Sequence, residues 1–135
     1  MTVSVTKLSR ADALRCAGPA VLAYRLGVFF DVLTPDGIQG TQPTTNETAA
    51  LIHWAASMAE ARQRGCAVGD ILRRRGVDAP PPSRAITDVL REHFNAPKVW
   101  GVMQAVAGAL QARRSLSYDE VTLIIDRIFD NIVDA

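Results

Sequence analysis

The sequence is short of the features that usually announce a function. Its 135 residues hold only 2 cysteines and 2 histidines. Cys16 and Cys66 are far apart and fit neither a disulfide framework nor a C-x-x-C metal motif, so both are expected to remain thiols in a reducing compartment. Charge of one sign is also lacking: a net charge of +1 gives no broad electrostatic footprint for a polyanion. Aromatic residues make up 6%, and no aromatic platform for stacking bases or helix-turn-helix pattern stands out. Every apolar run is broken by Arg, Glu, His or Asp before about 18 residues, which argues against a membrane-spanning helix. The opening "MTVSVTKLSRAD" lacks the apolar stretch and small-residue cleavage site of a secretory signal, so a cytoplasmic location is expected. There is no internal repeat, and the only biased segment is a short proline run.

What is present is an ordinary globular composition. With 48% hydrophobic and 21% charged residues, the chain suits a single domain over 1–135 with one core. Helix signals dominate. Ser9 and Asp12 open a segment whose Leu14, Ala17, Val21, Leu22 and Leu26 recur at helical spacing, predicting a helix over roughly 10–26. Pro19 falls inside it, where the ring removes a hydrogen bond and crowds the preceding turn, so a kink or a fresh start is expected there. "VFFDVLT" is the one strand candidate, closed by the turn "TPDG". After the polar loop "IQGTQPTTN" comes a helix from about Glu47 to Arg64 with Leu51, Trp54, Ala55 and Met58 on one face. A short helical piece, "DILRRR", precedes an extended loop, "GVDAPPPS". Helices then span about 84–94 and 97–113. A last one starts at Ser117, with Glu120 completing a capping box and Val121, Ile124, Ile125 and Ile128 turned inward. The expected fold is mainly α, a compact domain of five or six helices with at most one small strand or hairpin.

The stretch "RCAGPAVLAYRLG", Arg15 to Gly27, invites comparison with zinc proteases of the H-E-x-x-H type. That spacing sets two imidazoles on one helix face, with a glutamate between them as general base. With "ALIHWAASMAEARQRG", "CAVGDI" and "VWGVMQAVAGALQARRSLSYDEV" following in order, the chain resembles the peptidase domain of the FtsH-type zinc metallopeptidases over about residues 10–125. The resemblance implies zinc-histidine positions at Arg15 and Pro19, a general-base position at Cys16, and a third ligand at Asp70, or near Ser83 in a second alignment. Arginine is permanently cationic and proline has no donor atom, so neither can hold a metal.

The expectation is therefore a pseudoenzyme with no catalytic residue, no metal and no cofactor, whose vestigial positions are Arg15, Cys16, Pro19 and Asp70. It would bind a protein or peptide, through the old substrate groove or its apolar helical ends. An ion pair between Arg15 and Asp70 is expected to replace the metal cluster. Two other uses compete. One is a rebuilt site, either a metal centre from Cys16, His53, Cys66 and Asp70 or a nucleophile pair of Cys16 with His53 or His93; buried structural roles for these residues are the plainer reading. The other is nucleic-acid binding through Arg73, Arg74 and Arg75 with Arg62, Arg64, Arg84 and Arg91, against which a solvated basic face is favoured. Glu60 reads as a helix residue with a structural partner. Val99, Trp100, Met103 and Val106 read as core. The apolar stretches "VFFDVL" and "IFDNIV" raise the expectation of a homo-oligomer.

Overall fold

The computed structural model describes residues 7–77 and 82–133, with side chains through residue 129. Six helices dominate: α1 (Arg10–Arg25), α2 (Asn46–Arg64), α3 (Val68–Arg74), α4 (Arg84–Asn95), α5 (Val99–Arg113) and α6 (Tyr118–Val133). Strands β1 (Val32–Thr34), β2 (Gly37–Gln39) and β3 (Leu116–Ser117) form a small antiparallel sheet in the order β2-β1-β3. The mainly helical architecture is as expected, with one two-residue strand added to the hairpin. No helix among the described residues is long and apolar enough to cross a membrane. The expected N-terminal features at 1–6 and most of the proline loop, residues 78–81, lie outside the described residues.

The helix starts follow their caps. The Ser9 hydroxyl accepts from the Asp12 N–H at 3.1 Å, that of Thr45 from the Thr48 N–H at 3.2 Å and that of Ser83 from the Ile86 N–H at 3.3 Å. These satisfy first-turn donors that have no partner inside a helix. At α6 the box is reciprocal: Ser117 Oγ accepts from the Glu120 N–H, and Glu120 Oε1 accepts from the Ser117 N–H, each at 3.1 Å. Helix α5 begins at Val99 rather than Pro97, because Lys98 takes a left-handed conformation with φ of 75° and interrupts the register.

Helix α1 does not begin anew at Pro19; it continues from Arg10 to Arg25. Proline carries no N–H, so the Arg15 carbonyl goes without its usual partner four residues on. Surrounding packing offsets that loss, since α1 is buried along most of its length and packs on α2, α5, α6 and both strands of the hairpin. Helices α1 and α2 come close at Gly18, where a β-carbon would stand 2.8 Å from the Ala55 carbonyl oxygen and 3.0 Å from Ala59 Cβ. Only glycine admits so near an approach.

The strand expected over "VFFDVLT" is confined to Val32–Thr34, and Gly37–Gln39, expected as turn and loop, forms its partner. Upstream backbone bonds go elsewhere: the Val28 N–H donates to the Ala23 carbonyl, and Phe29 exchanges bonds with Gln42. Phe30 points into the core, whereas Phe29 is exposed and stacks on Tyr118 at 4.3 Å. Val99, Met103 and Val106 are buried as expected, while Trp100 is half-buried beneath the Arg62 guanidinium at 4.6 Å.

Candidate functional site

The residues of the degenerate motif come together at one place. Arg15, Cys16 and Pro19, on successive turns of α1, line an open cleft of about 450 Å³ with Asp36 from the hairpin turn, His53 from α2 and Arg75 from the end of α3. Gly37 and Ile38 of β2 form another wall. Because β2 lies at the edge of the sheet, one of its sides has no strand partner among the described residues.

Beneath the cleft lies a buried carboxylate. Glu60, on the inward face of α2, is 0% exposed and is surrounded by three guanidiniums. Arg15 Nη1 and Arg75 Nε reach its Oε1 at 3.1 and 2.6 Å, and Arg64 Nε reaches Oε2 at 2.8 Å. Arg75 also donates from Nη2 to Asp12 Oδ1 at 2.7 Å, tying the end of α3 to the first turn of α1. Burial alone would raise the Glu60 carboxyl, but hydrogen bonds from Arg75 and Arg64 and the charges of Arg75 and Arg15 outweigh it and hold the group below its ordinary range. The Asp12 carboxyl is lowered chiefly by its bond from Arg75. The cluster needs no metal to neutralise its charge: three arginines face two carboxylates, and Asp36 stands across the cleft.

The ion pair expected between Arg15 and Asp70 is not formed. Asp70 lies in the first turn of α3, about half exposed, where it pairs with Arg73 and accepts from the Ala67 N–H at 3.2 Å. It lines a different depression, with Arg64, Cys66 and Arg74. The helix register explains this: α3 begins at Val68, which makes Asp70 a first-turn capping residue and sends Arg75 inward instead. Ser83, the alternative ligand position, is the N-cap of α4.

The remaining candidates also separate. The Cys16 thiol is buried and donates to the Pro35 carbonyl at 3.2 Å. Burial first, and then the charge of Asp12, push it up to about 11, so it is a thiol rather than a nucleophilic thiolate at neutral pH. Cys66 is exposed. His53, expected to be a buried helix residue, is exposed at the cleft with its ring edge-on to Trp54 at 5.5 Å. Among the described residues no three of His, Cys, Asp and Glu stand together as a metal-ligand set. The arginine triplet is divided as well: Arg75 turns in to Glu60, and Arg73 is held by Asp70.

His93 is buried away from these groups, at 4% exposure near the end of α4. Arg25 Nη1 lies 2.9 Å from its Nδ1. An arginine can only donate, so Nδ1 accepts and the neutral ring carries its proton on Nε2. That Nε2 is buried with no hydrogen-bond partner, an arrangement that costs about 1–3 kcal/mol. Burial and the Arg25 charge push His93 down to about 4, so the ring is neutral at pH 7.

Glu60 has the structural partners expected of it, and His93 is buried as its plainer reading had it. The signal for Glu60 was Arg64 four residues on, at the spacing of a helix ion pair. His93, in the last turn of α4, carried no comparable signal. No family model matches the chain, and no curated protein or solved structure matches it. The resemblance to FtsH-type peptidases therefore rests on the residues quoted for it.

Proposed function

We propose that this protein is a catalytically inactive, metallopeptidase-like binding module that takes an extended peptide segment of a protein partner into the cleft beside β2. The observation that carries this reading is the convergence of Arg15, Cys16 and Pro19 on one open cleft bordered by β2, an edge strand with no outer partner among the described residues. An exposed sheet edge offers main-chain hydrogen bonds to an added strand, and flanking pockets receive its side chains. Here the second depression along β2, lined by Ile38, Thr41, Gln42, Ile52 and His53, extends the same wall.

The competing uses draw less support. A nucleophile at Cys16 is disfavoured by the raised thiol and by its bond to the Pro35 carbonyl. Nucleic-acid binding through the arginine triplet is disfavoured because Arg75 is spent on Glu60 and Asp12. Association of two copies draws on the exposed Phe29 and Phe129.

The test is selection of binders from a displayed library of unstructured peptides, followed by affinity measurement against Ile38→Pro. Proline blocks an edge-strand hydrogen bond while leaving the inner pairing of β1 with β3 intact. Affinity should fall about tenfold or more with the circular dichroism spectrum unchanged. Binders indifferent to Ile38→Pro would overturn the reading. Hydrolysis of a selected peptide, abolished by Cys16→Ala, would replace it with the enzyme reading.

A further inference from the structure

The C-terminal end of α4 is held from two sides by cations. Arg25, in the last turn of α1, lies with Nη1 2.9 Å from His93 Nδ1, and Arg62, in the last turn of α2, donates from Nη1 to the Phe94 carbonyl at 2.7 Å. Helices α5 and α6 present hydrocarbon here, through Val99, Val102 and Ile125. Tyr24 of α1 lies nearby with its hydroxyl on Asp126 of α6 at 2.7 Å. On α4 itself Asp88 faces Arg84 and Arg91, and Glu92 is exposed. Among the described residues no hydrogen bond or ion pair joins a carboxylate to His93.

Helix α4 is otherwise lightly fastened. Of its 12 residues only Leu90, His93 and Phe94 are buried, and Val89 on its outer side is exposed. Lys98, with φ of 75°, breaks the helical path between α4 and α5, so no continuous helix carries one into the other.

Only the neutral imidazole suits this position. A proton added at Nδ1 turns the one acceptor on the ring into a donor aimed at the Arg25 guanidinium, while the Nε2 donor already lacks an acceptor. A buried cation with no counter-charge is strongly disfavoured, and the ring, 4% exposed, reaches water only if α4 moves. The Glu60 network ties α1, α2 and α3 and does not involve α4. We propose that α4 is an acid-released flap: protonation of His93 frees the helix from α1, α2 and α5 and uncovers the apolar face beneath Leu90 and Phe94, while the other helices stay packed. The device is separate from the cleft beside β2.

Amide hydrogen exchange of the full chain, expressed as protection so that the intrinsic pH dependence of exchange is removed, tests this. His93 takes its proton near 6.5 when released and near 4 in place. The open population of α4 should therefore rise about twentyfold between pH 7 and pH 5, a range in which ordinary carboxylates stay ionised. Amides of residues 90–94 should lose protection by that factor and respond weakly to urea. Those of α1 and α2 should stay more protected at every pH and respond steeply, as expected of whole-chain unfolding. His93→Phe and His93→Gln, neither of which titrates, should each hold the protection of α4 constant over the range; one suffices if the other does not fold, and the wild-type profile stands without either. Equal protection in α4, α1 and α2 would mean that α4 leaves only with the whole fold. That result, a protection of α4 indifferent to pH, or a fall retained without His93 would each overturn the proposal.

Discussion

Glu60 and His93 are both buried ionisable groups, and the fold treats them in opposite ways. Around Glu60 every acceptor oxygen is used: three guanidiniums converge on one carboxylate, and Asp12 takes up the surplus of Arg75. Around His93 one nitrogen is used and the other is not. A closed network fixes helices to one another, here α1, α2 and α3. An open one leaves a donor enclosed by protein with no acceptor beside it. Glu60 thus ties helices together through satisfied charges, whereas His93 carries the cost of an unsatisfied donor in the core.

Removing the centre of the closed network should have the largest effect. Glu60→Gln would leave three buried or half-buried guanidiniums facing a neutral amide whose NH2 group cannot accept, and breaking a buried ion pair from one side costs about 3–5 kcal/mol. Urea unfolding followed by Trp54 and Trp100 fluorescence measures this. A loss below about 1 kcal/mol would mean that the cluster behaves as a surface pair and that the contrast with His93 is illusory.

The two groups should also separate along the pH axis. The folded value of His93 lies near 4, below its ordinary 6.5, so the unfolded chain takes up the proton first. Its contribution to stability is complete above about 6.5 and is lost as pH falls toward 4. Glu60 is lowered from an ordinary 4.5, so its contribution is complete above about 4.5 and is lost as pH falls below that, later than that of His93. Stability should therefore decline in two stages, the first a few kcal/mol deep at most. His93→Phe should flatten the first stage and keep the second; a first stage unchanged in that variant would assign it to another group.

The smallest effect belongs to Asp70→Asn. Its carboxylate is half exposed and meets only Arg73 and the Ala67 N–H, so the loss should stay within about 1 kcal/mol in thermal unfolding. A loss approaching that of Glu60→Gln would restore Asp70 to the cluster from which the geometry excludes it.

Much of the fold was legible because it is written locally. Ser9 and the Ser117–Glu120 box mark helix starts through hydrogen bonds spanning three residues, and those starts are found where the sequence puts them. The expected kinship of Arg15, Cys16 and Pro19 in one place was legible too, since one helix carries all three. What could not be read was the choice of partner across the fold. Whether Arg15 meets Asp70 or Glu60 depends on the register of α3, set by where its first turn closes rather than by any residue of α1. Likewise "VFFDVLT" has strand-forming residues throughout, yet the pairing of Phe29 with Gln42 takes its first part out of the sheet. Burial of His93 and exposure of His53 follow from which face of each helix meets the core, and an isolated histidine leaves that undetermined.

The small sheet also sets an order of events for the folding chain. Strand β1 meets β2 across a tight turn, with Thr34 opposite Gly37, but meets β3 only by bringing Leu116 back to Leu33 from the far end of the sequence. The first pairing closes on the timescale of a hairpin, while the second must wait for long-range loop closure and the docking of α5. Leu33 and Leu116 are both fully buried, so the centre of the sheet dries only when these two segments have met. Until then the β3-facing edge of β1 lies open to any other extended chain, and the docking of β3 is the step that ends that exposure.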